Sequence, residues 1–364
     1  MRMEADGLRD IEDKVHAGER LSFEDGVRLF KSPDLFTVGR LANLVRERKN
    51  GNRAYYVKNI HLNYSNVCVF DCSFCGFYRR EGAEGAWEMD LDSIFAYAAK
   101  ARFEKLNEIH IVGGVHPKLP WSYYLEMLRG LKERYPELHL KAFTATEIDH
   151  FTKITKKSAG QVLAELREAG LDSLPGGGAE VFADRVWNQV CSGKARPERW
   201  LEIHRAWHRM GGRSTATMLY GHIETDEERV DHMLRLRALQ DETGGFTAFI
   251  PLGFQVEKNA LSHLPKPTAQ TDLRVHAAAR LLLDNFDHIK AYWVMTGLKM
   301  AQILLSYGAD DIDGTIVEER IVHMAGADSP LGVAEEELRA LIREAGREPV
   351  RRDTLYRPLE EVRA

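Results

Sequence analysis

The chain has 364 residues, 44% of them hydrophobic and 29% charged, enough to bury one large α/β barrel with extensions or two ordinary domains. A net charge of −5 gives no general attraction to nucleic acid, and basic patches such as Arg46-Glu-Arg-Lys49 are short and mixed with acids. No early stretch resembles a signal peptide, no run approaches the about 20 apolar residues of a membrane span, and four cysteines without an export signal imply a reducing, cytoplasmic setting.

Residues 1–50 read as helical: Ile11 and Val15, Phe23, Val27 and Phe30, then Leu41, Leu44 and Val45 recur at helical spacing. This segment carries no motif and reads as an N-terminal helical extension that caps the remainder of the chain. Strand candidates come next, at Tyr56–Asn63, Glu108–Gly113, Leu138–Thr144, Leu171–Leu174, Ser214–Tyr220, Phe246–Pro251, Ile289–Met295 and Asp310–Asp313. Helical stretches alternate with them, at Leu91–Ala101, Ser122–Arg134, Ala159–Ala169, Glu198–Met210, Asp226–Gln240 and Thr271–Leu283. Alternation of this kind predicts βαβ units, and eight strands predict a closed (βα)8 TIM-type barrel over residues 51–330. Residues 331–364 read as one helix (Ala334–Ala345) and a polar tail packed on the barrel.

Three of the four cysteines fall in one window, Cys68-Val-Phe-Asp-Cys72-Ser-Phe-Cys75. An odd number of closely spaced thiolates is no disulfide framework. A structural zinc site needs four protein ligands, usually from paired C-x2-C knuckles. Cys191 lies 116 residues beyond Cys75, inside a helical stretch, and reads as a small buried hydrophobe. His61 keeps a zinc site open. The spacing better fits three thiolates on a four-iron cube, with one iron left to a substrate.

Polar residues recur on alternate strand positions: Asn59, His61 and Asn63 in the first strand, Glu108 and His110 in the second. A barrel filled for packing would place branched apolar residues there, so the lumen is expected to hold a ligand. Glu108 and Lys141, at strand beginnings, read as a buried, mutually satisfied network. Glycines mark three strand ends, at Gly113-Gly114, Gly176-Gly177-Gly178 and Gly221, and their recurrence suggests backbone lying close to a small molecule.

Cys68-x3-Cys72-x2-Cys75, with Phe74 before the last cysteine, resembles the signature of the radical S-adenosylmethionine superfamily, and Gly113-Gly114 and Met218-Leu-Tyr-Gly-His-Ile-Glu224 resemble its second- and fifth-strand motifs. Asn63-Tyr-Ser-Asn-Val-Cys68, Pro175-Gly-Gly-Gly-Ala-Glu180 and Tyr220-Gly-His-Ile-Glu-Thr225 look like the menaquinone and deazaflavin branch. Lys141-Ala-Phe-Thr-Ala-Thr-Glu147, Lys290-Ala-Tyr-Trp-Val-Met295 and Gly308-Ala-Asp-Asp-Ile-Asp-Gly-Thr315 are most similar to the aminodeoxyfutalosine synthases within it. The resemblance runs from about residue 55 to 358.

The resemblance implies a [4Fe–4S] cluster on Cys68, Cys72 and Cys75, with S-adenosylmethionine chelating the fourth iron and consumed as co-substrate. It implies addition of a 5′-deoxyadenosyl radical to the aromatic enol ether 3-[(1-carboxyvinyl)oxy]benzoate, followed by aryl migration and loss of the carboxyl carbon. The product would be 6-amino-6-deoxyfutalosine, on the futalosine route to menaquinone, and no acid/base residue is assigned. Phe74, Gly113, Gly114, Glu180, Met218 and Tyr220 would contact S-adenosylmethionine; His61, Asn63, His116 and His222 would contact the organic substrate. Arg79 is a further candidate for its carboxylates, and the Trp293–Met295 end of strand seven for its ring. An external one-electron reductant of flavodoxin or ferredoxin type is implied, with neither nucleic acid nor membrane as partner. Arg80–Trp87, Gly-rich and acidic, has no assigned role; a mobile loop closing over the cluster is one expectation. The alternatives are a dehypoxanthine futalosine cyclase or FO-synthase-type enzyme and, from another class, a non-catalytic zinc-stabilised barrel that binds a nucleoside.

Overall fold

The computed structural model describes residues 7–103, 105–316 and 319–359; residues 1–6 of the expected extension and 360–364 of the expected tail lie outside them. Its strands are β1 (Arg53–Val57), β2 (Asn59–Leu62), β3 (Glu108–Ile111), β4 (His139–Ala142), β5 (Ser173–Leu174), β6 (Arg213–Tyr220), β7 (Phe246–Gly253), β8 (His288–Ile289), β9 (Asp311–Gly314) and β10 (Glu348–Arg351). Strands β2 to β8 form a parallel sheet in sequence order, and β1 lies between β9 and β10 in a second.

Backbone hydrogen bonds join the two sheets. The Asp310 N–H donates to Ile289 O at 3.0 Å and the Ala291 N–H to Asp311 O at 2.7 Å, while within the second sheet the Thr315 N–H donates to Val57 O at 3.1 Å. Only Lys58 separates β1 from β2. The parallel sheet thus curls round to its own first strand, which is the (βα)8 architecture expected, with β1 and β2 as two halves of one bent strand.

Alternation along the strands sorts the side chains. On β6, Thr215 and Thr217 face the lumen, while Ala216, Met218 and Tyr220 join the apolar layer under the surrounding helices. Those helices begin where the sequence supplies caps. Reciprocal capping boxes open the helices at Ser22/Asp25, Thr144/Glu147, Ser158/Gln161 and Thr225/Glu228. The N-terminal helices brace the outside: Leu35–Asn50 packs on Ala269–Leu282, and Phe23–Lys31 on Asp226–Thr243.

Three local expectations differ from the structure. The predicted strand Ile289–Met295 stops early, because Trp293–Thr296 turns helical and the Trp293 indole donates to Gly314 O at 2.9 Å. A helix at Ala145–Thr155 occupies a stretch given no element, started by the Thr144 cap. The polar tail contains β10, parallel to β1 with Arg53 opposite Glu348 and Tyr56 opposite Arg351.

Candidate active site at the cysteine loop

Beyond β2 the chain crosses the C-terminal mouth of the barrel, carrying the three cysteines. The loop is fixed from both sides. The Cys68 N–H donates to Arg79 O at 3.0 Å, Arg79 N–H to Asn66 O at 2.8 Å, and Val69 N–H to Val115 O at 2.9 Å. The Asn66 side chain donates to Gly85 O at 2.9 Å and accepts from Trp87 N–H at 2.8 Å, while Ser65 Oγ donates to Trp87 O at 2.9 Å. The Arg80–Trp87 stretch is therefore tied to the residues preceding Cys68. Arg79 donates to Gly76 O and Tyr78 O at 3.0 and 2.7 Å, and Arg80 to Cys68 O and Val69 O at 3.2 and 2.6 Å. Both guanidiniums are engaged by the loop backbone.

Cys68, Cys72 and Cys75 all line a cavity of about 290 Å³ that runs down into the lumen. Burial pushes all three thiols above their usual range, so a bound metal, not water, would favour their thiolates. Among the described residues no three His, Cys, Asp or Glu side chains gather at one ion-sized point. The three thiols share the lining of one cavity, with no fourth Cys among the described residues that line it. His61 stacks on His110, with ring centroids 4.6 Å apart, and Cys191 is buried at the end of the helix Asp184–Val190 outside the cavity wall. The donor set fits a three-thiolate cluster better than a closed zinc site.

The glycines after β3 owe their identity to this loop. A Cβ on Gly114 would lie 2.3 Å from Val67 O, and one on Gly113 2.6 Å from the Tyr64 ring. Tyr64 is in turn locked by its hydroxyl, which donates to Glu147 Oε1 at 2.7 Å, the same oxygen that accepts from Gly113 N–H at 3.2 Å. Glu147 is buried, with burial pushing its carboxyl up, and it faces the cavity.

Across the cavity, Glu180 sits at φ +45° after the three-glycine turn and forms an ion pair with Lys194. The Lys194 ammonium lies over the Phe74 ring, 5.4 Å from its centroid. Burial is the largest single influence and pulls that ammonium down, but the charge and hydrogen bond of Glu180, together with Cys72 and Cys191, outweigh it and hold Lys194 above the usual range. On the lumen floor, Asn59, His61, His110, Lys141, Lys290 and Asp313 converge. Burial pushes both histidines down, so their rings are neutral.

The structure thus brings eight of the expected contact residues to one cavity: the three cysteines, Phe74, Gly113, Gly114, Glu180 and His61. The other five stand elsewhere. Met218 and Tyr220 point outward into the apolar layer, Tyr220 donating to Asp272 at 2.7 Å. Asn63 donates to Val112 O at 2.8 Å. His116 lies 2.7 Å from the Glu88 carboxylate and accepts at Nδ1 from Lys118 and Leu119 N–H. His222 is buried between Leu219 O at 3.0 Å and Glu224 at 3.2 Å. The off-by-one face on β6 explains the first two, and local loop hydrogen bonding the rest. Of the strand-seven end, Met295 reaches the cavity and Trp293 is core. Lys194, Glu147, Lys290, Tyr292 and Glu319 line the cavity without having been singled out for the site. Glu147 carried a local signal, its capping box with Thr144, and Lys290 and Tyr292 lay inside a family-like word.

A family model for the radical SAM superfamily matches residues 62–236, and one for the CofH/MqnC C-terminal region matches residues 243–364. The chain is 52% identical to an aminodeoxyfutalosine synthase of Thermus thermophilus, over 96% of this chain and 97% of that one. Identity to the aminodeoxyfutalosine synthase of Streptomyces coelicolor is 46%, over 99% and 96%. A cyclic dehypoxanthine futalosine synthase of the same organism is 38% identical, over 97% of this chain and 89% of that one. The fold matches the crystal structure of methylornithine synthase with a TM-score of 0.73 at 17% identity, covering 94% and 97% of the two chains. With three thiols opening onto the mouth of a curled parallel sheet, and these matches along its length, the chain belongs to the radical S-adenosylmethionine superfamily.

Proposed function

We propose that this protein is an enzyme that makes aminodeoxyfutalosine on the futalosine route to menaquinone. It would join the 5′-deoxyadenosyl group of S-adenosylmethionine to 3-[(1-carboxyvinyl)oxy]benzoate, releasing methionine and the carboxyl carbon as CO2 or bicarbonate. The observation that carries the reading is near full-length identity of 52% and 46% to two synthases, against 38% to the cyclase sister.

A [4Fe–4S] cluster, when bound, supplies the electron that splits S-adenosylmethionine into methionine and a 5′-deoxyadenosyl radical. Cys68, Cys72 and Cys75 would hold it. The cavity residues then have defined tasks. Phe74 offers a ring beside the cysteines, and Glu180 a carboxylate for a ribose hydroxyl or an ammonium. Gly113 and Gly114 let the cysteine loop seat directly on the end of β3. Neutral His61 offers a ring nitrogen to the organic substrate. Addition to an alkene needs no general base, so no side chain is assigned as acid or base. The site's main work is orientation and exclusion of water and stray hydrogen donors.

No helix among the described residues is long and apolar enough to cross a membrane. We place the enzyme in the cytoplasm, served by a small one-electron donor protein of flavodoxin or ferredoxin type. Anaerobic incubation with S-adenosylmethionine, dithionite and the enol ether, read by mass spectrometry, tests the function. The expected product is the adenosine-containing adduct; 5′-deoxyadenosine with no adduct would sink the reading and favour the cyclase sister.

A further inference from the structure

The floor of the cavity carries more charge than packing calls for. Lys141 and Lys290 stand inside the barrel at 5% and 2% exposure, against Glu108 and Asp313. Buried ion pairs of this kind are poor stabilisers compared with apolar side chains of the same volume, so stability is a weak reason for them.

The two pairs differ. Lys141 lies 2.5 Å from Glu108, a carboxylate with no other hydrogen-bond donor among the described residues, which sits behind the cavity wall. It is committed to that charge. Lys290 makes one hydrogen bond to Asp313, at 3.2 Å, and both face the cavity. An ammonium has three N–H donors, so Lys290 retains capacity for a group in the cavity. Asp313 in turn draws on Lys141 and Arg352 as well as Lys290, and is held at φ +64°, a conformation that costs a non-glycine residue energy.

The surroundings are densely charged. Asp313 lies among three buried cations, Lys290, Lys141 and Arg352, of which Lys141 is also paired with Glu108 and Arg352 with Asp311. Glu319, a further carboxylate on the cavity, is matched by His323 at 3.0 Å. An anion brought to the free donors of Lys290 would meet it in a region of low dielectric, where their attraction is strong. Above Lys290 the same chain segment presents Tyr292 and Met295, an aromatic and apolar wall suited to a ring.

We propose that Lys290 binds a carboxylate of the organic substrate from the lumen floor, and that this contact selects carboxylated aromatic substrates over uncharged ones. The substrate class rests on the synthase reading; the anion preference rests on the floor itself.

Equilibrium binding of benzoate and benzamide to the anaerobically reconstituted holoprotein, by calorimetry, tests it. The wild-type protein binds benzoate about 10- to 100-fold more tightly than benzamide, the range of a charge-assisted hydrogen bond. The double variant Lys290→Met, Asp313→Asn removes both partners together, and it loses that preference while keeping iron content and S-adenosylmethionine binding. With the enol ether, its KM rises by the same factor and kcat moves less. Equal binding of benzoate and benzamide by the wild-type protein overturns the proposal without any variant. So does loss of the preference in Lys141→Met, Glu108→Gln with retention in the Lys290 variant. A wild-type protein that discriminates benzoate through Lys290 yet fails to turn over the enol ether refutes the synthase reading alone.

Discussion

Replacing Gly114 by alanine separates two explanations of the glycine pair after β3. If the glycines make room for a ligand, alanine weakens S-adenosylmethionine binding and leaves the cluster intact. The structure predicts otherwise. The added Cβ would stand 2.3 Å from Val67 O and 2.8 Å from Val67 C, where ordinary contacts begin near 3.4 Å. Both atoms are backbone, one residue before Cys68, and Gly114 N–H is itself tied to Ser65 O at 2.7 Å. Relief therefore requires moving the cysteine loop outward by about 1 Å, against the Asn66, Arg79 and Trp87 hydrogen bonds. Overpacking of this size costs about 1–3 kcal/mol, small beside the fold's total but concentrated on the ligand loop. A displacement of about 1 Å at a reacting centre costs on the order of 100-fold in rate. The expected result is a cooperatively folded protein with a modestly lowered Tm, reduced iron per chain and activity down about 100-fold. Iron analysis, absorbance of the reconstituted protein and calorimetry read all three. Full iron content with a selective loss of S-adenosylmethionine affinity would refute the packing argument.

Cys72→Ala removes one of the three thiols proposed to hold the cluster, and the expected result is loss of both cluster absorbance and turnover; retained turnover would overturn the ligand assignment. Arg352→Met strands the buried Asp311 carboxylate, now 2.6 Å from the guanidinium, and lowers stability by about 3–5 kcal/mol in denaturant titrations; Arg352→Met with Asp311→Asn recovers most of it. His323 is raised to about 9, chiefly by its hydrogen bond to Glu319. A histidine raised above its unfolded value stabilises fully below about pH 6.5, and that contribution is lost as pH rises through about 9. Thermal stability of the wild-type protein should decline over that window relative to His323→Gln, and parallel curves for the two proteins would contradict it.

The parts of the site that were legible in the chain are those with a short-range signature. The cysteine triplet, the glycine pair and the three-glycine turn are local words, and each lands on the cavity. Faces were harder. Assigning Met218 and Tyr220 to the lumen required the parity of β6, and a one-residue choice sends every side chain to the opposite side. On β2 the polar alternation of Asn59 and His61 settled parity correctly, whereas Asn63, just past the strand end, turned to the Val112 carbonyl. Lys194 had no signal: it lies in a short irregular segment after Cys191, and its meeting with Glu180 is set by tertiary packing. Glu108 and Lys141 form the ion pair anticipated, yet Lys141 also faces the cavity, so a structural pair and a site wall were not alternatives. The tail strand was missed because Glu348-Pro-Val-Arg351 has neither the length nor the alternation of a strand, and gains its pairing only from β1.

That pairing has a consequence for how the protein is made. Strand β1 leaves the ribosome about 300 residues before Arg351 does, and synthesis at about 5–20 residues per second delays their meeting by tens of seconds or longer. Through that interval one edge of β1 has no neighbour, and Asp311, once made, waits for the guanidinium of Arg352. The nascent chain therefore carries a bare β edge through most of its synthesis, joined by an unmatched carboxylate over the last stretch, from Asp311 to Arg352. Chaperone capture and degradation of incomplete chains should act most strongly on nascent forms ending before residue 348.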